Sequence, residues 1–333
     1  MNVPIIVITM YNEKKAQGSW RCMPAVLALT IGNWGMRLRM HTCTGSLTEV
    51  ARVSLYGSSP GLLRHLGLFY LQRKVPMKAI RCDLPFAENI EVWPMSDLHI
   101  GDNMCDFKLI MERIEYIKNT PNAYCILDGD LMDTAICSSI GDTYGANLQP
   151  MEQLKMCVKI FEPIKDKIIC VLPGNHEDRA YKTDGIDITD IMCSQLGIAD
   201  RYSPTTALVF LRFGKTSTDR HGRPQLYTLY VTHGSGGGRR EGGKVNRLAD
   251  LAAIVDADIY IHGHTHLPLV FKESFFRVSG SNSSIAIVDK LFVNTAAALN
   301  YGGYGDKQGF KPASKASPVI YLSGRKREMW AKL

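Results

Sequence analysis

Five short β-rich runs, each closing on a cluster of polar residues of metal-binding type, constrain this 333-residue chain more than any other feature. Ile90–Met95 leads into Ser96-Asp97-Leu98-His99, Tyr124–Leu127 into Asp128-Gly129-Asp130, and Ile168–Leu172 into Gly174-Asn175-His176-Glu177. Tyr227–Thr232 then leads into His233-Gly234, and Ile259–Ile261 into Gly263-His264-Thr265-His266. Between the runs, Phe107–Lys118 and Glu152–Phe161 carry apolar residues at helical spacing, with Leu109, Ile110, Ile114 and Ile117 on one side of the first. Alternating strand and helix predict an α/β sandwich, and in open α/β sheets sites form outside the carboxyl ends of strands. Further along, Phe276–Val278, Ser284–Val288, Lys290–Val293 and Val319–Ser323 read as strands joined by turns that complete a second sheet.

Composition narrows the setting. Apolar residues make up 45% and charged residues 21%, near the averages of soluble globular chains. No run approaches the roughly 18 apolar residues of a membrane span, so no membrane partner is expected. The formal charge is +7, yet residues 1–76 hold nine Lys/Arg against Glu13 and Glu49, and the remaining 257 residues carry 30 of each sign. Net charge therefore implies no long-range field steering a polyanion toward the later, orderly part of the chain. Nine cysteines between Cys22 and Cys193 form no CxxC pair, which reads as buried thiols in a reducing, cytoplasmic setting. Met23–Ile31 follows Lys14, Lys15 and Arg21 and faintly resembles a signal peptide, but no small-x-small cleavage site follows cleanly.

The first 76 residues differ in texture from the rest: basic, without Asp, with apolar runs Val3–Thr9 and Ala25–Ile31 in no sustained period. Three readings stay open for them: a small accessory domain, a partly ordered basic extension, or sequence upstream of a start at Met77. The expected organisation is thus a basic N-terminal extension of uncertain order over 1–76 and an α/β domain over 77–333 that carries the polar clusters.

Two Asp, one Asn and four His supply both oxygen donors for hard cations and imidazoles for transition metals. In Asp97-x-His99 and His264-x-His266, the alternation of an extended chain would point both side chains the same way, so that one strand end offers two ligands. Gly129, Gly174, Gly234 and Gly263 stand where the backbone must turn sharply or admit close approach.

Together and in this order, the clusters resemble the calcineurin-like metallophosphoesterase superfamily: Asp-x-His, Gly-Asp, Gly-Asn-His-Glu/Asp, His, and Gly-His-x-His. The resemblance covers roughly residues 90–270 and leaves 1–76 untouched. It implies a two-sheet β-sandwich flanked by helices, two divalent metal ions, and hydrolysis of a phosphate ester by metal-activated hydroxide. Mn2+ is favoured, with Fe, Zn, Ni or Co also suited to the mixed donor set. By the resemblance Asp97, His99 and His266 hold one ion, Asn175, His233 and His264 the other, and Asp130 bridges them. His176 stands near the leaving group as a proton or hydrogen-bond donor.

Neighbouring residues have plainer expectations. Asp128 orients His176 or a backbone amide, Asp133 starts a helix, and His262 packs or hydrogen-bonds rather than ligating. Asp102 and Glu177 are surface or turn residues, with Glu177 holding its loop. The Gly-rich stretch from His233 to Lys244 offers amides and the side chains of Arg239, Arg240 and Lys244 to a substrate anion, or else is a solvated basic loop.

Serine/threonine phosphatases of the superfamily carry an Arg after the second motif, where this chain has Thr134 and Ala135, which argues against a protein phosphatase. The motifs are closer to the phosphodiesterase and DNA-repair-exonuclease branches. A phosphodiester or phosphomonoester of a nucleotide or nucleic acid is the expected substrate. The alternative is a non-catalytic metal-binding or scaffold protein that retains the fold.

Overall fold

The computed structural model describes residues 25–31, 34–41, 52–55, 77–135, 146–214, 224–236 and 238–333. The chain divides into two compact units, Met1–Val75 and Pro76–Leu333. In the first, β1 (Ala25–Ile31), β2 (Trp34–His41) and β3 (Arg52–Leu55) form an antiparallel sheet in that order. The apolar run Ala25–Ile31 is therefore a strand, paired from Ala25↔Met40 to Ile31↔Trp34. Val3–Thr9 lies outside the described residues.

The second unit is built on two sheets. One contains β4 (Lys78–Asp83), β8 (Thr206–Phe213), β9 (Gln225–Thr232), β10 (Ile259–His262), β11 (Leu269–Ser279) and β12 (Ser284–Asn294), in the order β11-β12-β10-β9-β8-β4. The other contains β5 (Asn89–Met95), β6 (Ala123–Asp128), β7 (Ile168–Leu172), β13 (Val319–Ser323) and β14 (Met329–Lys332), in the order β14-β13-β5-β6-β7. Burial on both faces turns β6 and β7 into uninterrupted apolar runs, as parallel strands between two layers require.

Val92, Ile126, Cys170 and Leu172 meet Val209, Leu229, Ile261 and Val293 between the sheets. Helices cover the outer faces. α1 (Phe107–Asn119), capped by Asp106 accepting from the Leu109 amide at 3.1 Å, turns Ile110, Ile114 and Ile117 inward. α2 (Pro150–Phe161) and α4 (Ile188–Leu196) share that core with Leu127 and Val171. α5 (Glu241–Asp250) lays Leu248 on Tyr230, Tyr260 and Phe292 of the other sheet. The other α-helices among the described residues are α3 (Glu177–Asp184), directly after the Gly-Asn-His turn, and the short α6 (Gly303–Lys307).

The expected α/β sandwich is present, with one rearrangement. Ser284–Val288 and Lys290–Val293 are a single 11-residue strand, and it and the lengthened β11 join the sheet of β9 and β10. Only Val319–Ser323 joins the sheet of β5. Asp289 suggested a break in sequence, but it pairs with Ser274 across the ribbon at 2.7 Å, and Lys290 beyond it is buried, its ammonium 2.6 Å from Asp256 and 2.9 Å from the Tyr260 hydroxyl, so the strand continues. No helix among the described residues is long and apolar enough to cross a membrane.

Leu229, on a central strand and wholly buried between the sheets, sets a test of this core. Leu229→Ala should cost about 2–5 kcal/mol, read as a lower midpoint in urea unfolding with an unchanged slope.

Candidate metal centre

Parallel register brings the five motif strands to a common level. Thr232, His262 and Asn294 sit side by side across β9, β10 and β12, while Met95, Leu127 and Val171 do so across β5, β6 and β7. The carboxyl ends of the two sheets thus deliver their polar clusters to one place. The amides of Asp97 and His99 donate to the carbonyls of Gly129 and Asp130, each at 3.0 Å, stitching the first cluster to the second.

Each carboxylate is anchored through one oxygen and presents the other. Asp97 Oδ2 accepts from the Ser96 hydroxyl and from the His264 amide at 3.0 Å, leaving Oδ1 3.0 Å from His266 Nε2. Asp130 Oδ1 accepts from the His176 amide at 2.9 Å, and its Oδ2 lies 3.2 Å from His233 Nε2. His233 Nδ1 sits 2.6 Å from the Asp128 carbonyl, so it donates there and turns Nε2 inward, the tautomer of a metal-ligating imidazole.

Side-chain direction at these positions does not come from strand alternation. Asp97, His99, Asp130, His264 and His266 all have left-handed backbone, with φ of 53°, 46°, 49°, 63° and 53°. Each lies just past its strand end, so the extended-chain reasoning applied to Asp97-x-His99 and His264-x-His266 is corrected. The turn separates the latter pair: His266 joins Asp97 and His99 in one group, and His264 joins Asp130 and His233 in another, with the ligand atoms of each group within 4.8 Å of one another. Asp and His tolerate this conformation better than most residues. At Gly174 a Cβ would come within 2.1 Å of Asp130 Oδ1, which makes glycine obligatory there.

The donor set fits divalent cations. Asp97 Oδ1, His99 Nε2 and His233 Nε2 are buried without a well-directed hydrogen-bond partner, a costly state unless an ion satisfies them. Two ligands about 2.1 Å from one ion stand roughly 3.0–3.4 Å apart at octahedral to tetrahedral angles, which matches the His266–Asp97 and His233–Asp130 separations of 3.0 and 3.2 Å. Electrostatics agree. Burial works against charge on Asp97 and Asp130, yet His266 beside the first and His233 beside the second hold both carboxyls below the usual range. Burial pushes His99 down to about 3 and lowers His264, while Asp130 overcomes burial and raises His233 well above an ordinary histidine. Any proton held at His233 Nε2 would have to leave for a cation to bind there.

A third grouping, His99 with Asp133 and His176, is also close-set. There the Arg179 guanidinium stands 3.0 Å from His176 Nε2, and a second cation beside it would meet repulsion, so the first two groups are the better candidates. His176 Nδ1 lies 2.8 Å from the Asp133 carbonyl and 3.1 Å from its carboxylate. Asp133 thus orients His176, and residues 136–145, where the expected helix would run, lie outside the described residues. Asp128 does not touch His176: both its oxygens are buried without a partner, and burial pushes its carboxyl well up. His262 packs as expected, its Nδ1 2.8 Å from Asn294 Oδ1. Asp102 accepts from the Met104 amide within a turn.

Glu177 is no surface residue. It is 2% exposed and accepts from the amides of Asp130, Met132 and Gly174 at 3.0, 2.8 and 2.8 Å. Asn175 is exposed in the turn before it. In the Gly-rich stretch, Arg239 donates to the Gln308 carbonyl at 2.8 Å and covers Phe310, Arg240 precedes α5, and Lys244 donates to the Thr265 carbonyl at 2.7 Å, between His264 and His266. Gly237 lies outside the described residues. Sequence reasoning missed Ser96, Thr295, Asn294 and Arg179; only the i, i+3 spacing of His176 and Arg179 at a helix start carried a signal.

A family model for the calcineurin-like phosphoesterases matches residues 91–268, more than half of the chain and every ligand candidate described above. The chain belongs to the calcineurin-like phosphoesterase family. Membership makes it a phosphoesterase at that level, and its His/Asp groups suit divalent metal. Among solved structures it is similar to vacuolar protein sorting 29 from Cryptosporidium parvum, at 16% identity over 74% of this chain and 98% of that one, with a TM-score of 0.36. A predicted phosphoesterase from Streptococcus pneumoniae TIGR4 matches at 15% identity over 73% and 98%, TM-score 0.30. Zinc-complexed Vps29 from Entamoeba histolytica matches at 13% identity over 73% and 97%, TM-score 0.33. No curated protein sequence matches the chain.

Two outcomes follow for this family site. Glu177→Ala should strand three buried amides and lower stability by about 3 kcal/mol or more, with Glu177→Gln losing less, read by urea unfolding. Mn2+ binding should release protons and tighten as pH rises, because the raised His233 must give up its proton; calorimetry in buffers of different ionisation enthalpy measures this.

Proposed function

We propose that the unit from Met77 to Leu333 hydrolyses a phosphodiester or phosphomonoester on a dinuclear centre, with nucleotides or nucleic acid as the first substrate class. The observation that carries this reading is the pair of separate three-residue groups, Asp97/His99/His266 and Asp130/His233/His264, meeting where both sheets end. In this assignment Asn175 completes the second group and Asp130 bridges. Asn175 is flanked by Gly174 and His176, both of whose backbones abut Asp130, which supports its place in that group.

When bound, a pair of divalent ions would polarise a phosphoryl oxygen and lower the pKa of a water. The chain's own residues supply the rest. Asp133 fixes the ring of His176 through Nδ1, which leaves Nε2, here 3.0 Å from Arg179, as the atom that would face the departing oxygen once substrate draws the guanidinium away. Burial opposes charge on His176, but Asp133 and Asp130 raise its pKa, which suits a proton donor. Arg179, whose second nitrogen is held by the Asp133 carbonyl at 3.1 Å, places a guanidinium beside Nε2. It stands ready to take a phosphoryl oxygen and supplies the positive charge that the Thr134-Ala135 sequence lacks. Arg239 and Arg240 are assigned to the outer wall, where substrate identity is read.

The test is hydrolysis of bis(p-nitrophenyl) phosphate and p-nitrophenyl phosphate by metal-stripped protein after Mn2+ is restored. Asp130→Asn should abolish turnover. His176→Ala should lower kcat roughly 100-fold to 10,000-fold, and Arg179→Ala should weaken KM more than kcat. Folded protein inactive toward both esters with every divalent metal would defeat the catalytic reading.

A further inference from the structure

The hairpin of β11 and β12 is longer than the sandwich that supports it. Along its inner face Val270 of β11 and Leu291 and Val293 of β12 pack between the two sheets. Side chains alternate with a period of two, so the same face continues outward through Lys272, Ser274 and Asp289 and then reaches Phe276, Val278, Ile285 and Ile287. These last four pair directly across the ribbon, Phe276↔Ile287 and Val278↔Ile285. They are 76%, 73%, 69% and 70% exposed. A face built as sandwich core thus extends beyond the end of the opposing sheet and has no second layer among the described residues of its unit.

The geometry points to a second copy of the chain as that layer, its ribbon stacked face to face and antiparallel about a two-fold axis through the centre of the patch. Three features favour this occupant. The first is self-complementarity. The axis sets Phe276 and Ile287 of one ribbon over Val278 and Ile285 of the other, a closed isologous contact of apolar on apolar.

The second is what lies at the two ends. Each hairpin turn, Gly280-Ser281-Asn282-Ser283, falls over the base of the other ribbon, where Asp289 accepts from Ser274 at 2.7 Å and has further acceptor capacity. Beside that base an open cleft of about 520 Å3, lined mainly by charged side chains such as Lys272, Asp289, Arg327 and Glu328 together with Ile287 and Trp330, has room and polar partners for the turn. The third is charge. The patch itself carries no Lys or Arg, and the neighbouring Arg277 is engaged by Asp256 and Asp258 at 3.7 and 3.8 Å, whereas segments that lie on anionic lipid or nucleic acid present many free cations.

The size is adequate. Four such side chains offer roughly 400–500 Å2 of apolar surface per copy, in the range of the largest patch on a typical monomer. With the turns and cleft walls added, the stack approaches the ~800 Å2 per partner of a specific interface.

Sedimentation of the full chain at micromolar concentration tests this independently of catalysis. The wild type should run at twice the 37.1 kDa chain mass. Phe276→Asp with Ile287→Asp should run as a folded monomer with the far-UV circular dichroism of the wild type, because both positions face solvent in the single chain, and its melting temperature should no longer rise with protein concentration. Phe86→Asp, at an exposed apolar residue elsewhere, should remain dimeric. A monomeric wild type, a dimer that survives the double substitution, an open-ended polymer, or a monomer that floats with phosphatidylcholine/phosphatidylglycerol vesicles would each overturn the proposal.

Discussion

Three backbone amides converge on the carboxylate of Glu177, and the metal centre depends on that convergence. The amides belong to Asp130 and Met132 in the loop after β6 and to Gly174 in the loop after β7. Two strand ends are thereby locked at one separation, with Gly174 pressed against Asp130 so closely that no side chain fits between them. Asp130 in turn meets His233 from the opposite sheet. A buried carboxylate is costly to leave unpaired. Burial, together with the neighbouring negative charge of Asp130, raises the pKa of Glu177, while the Met132 and Gly174 amides oppose that rise. The anchor therefore belongs to the same electrostatic balance as the site it supports, and cations bound nearby would favour its charged form.

The left-handed residues show what this arrangement costs. Five non-glycine positions past the strand ends adopt a conformation that costs roughly 1–2 kcal/mol per residue for an L-amino acid. Such strain persists where surrounding contacts over-determine the backbone. Here the contacts are specific: the Asp97 and His99 amides on the second loop, the His264 amide on Asp97, and Asn294 donating to Thr265 and to the Leu267 carbonyl. The turn also explains why adjacent ligands diverge. His264 and His266 leave one strand end yet face different groups, which a continuing strand would not allow.

Much of this was legible in the sequence because strand ends and ligands coincide there. Ile168–Leu172 is a strand with the boundaries its composition suggests, and the other four motif strands extend by only a few residues. The ligand candidates were recognisable as residue types in order. Their supports were not. Asp133 reads as a helix cap because its partner His176 is 43 residues away in sequence, and Ser96 and Thr295 meet across 199 residues. Long-range hydrogen bonds leave no periodic trace. The division of strands between sheets was hidden for the same reason: alternation fixes which face a residue takes but not which neighbour its strand will pair with.

The β11–β12 ribbon shows the limit of local pattern most clearly. The sequence from Ser284 to Val293 looks like two short strands because Asp289 interrupts its apolar residues. In the structure Asp289 and Lys290 mark the passage from supported to unsupported sheet. Inward of them the ribbon face is sandwich core; outward it carries equally apolar residues into solvent. Lys290 turns to the other face, over the rings of Tyr260 and Phe275 and against Asp256, so its charge is satisfied without breaking the ladder. A two-stranded ribbon is marginal in water by itself. The outer half therefore draws its order from the sandwich through continuous register, while its apolar face stays exposed among the described residues. Interior chemistry placed beyond the interior is a feature of assembly, separate from the catalytic end, where polar groups are buried and wait for cations.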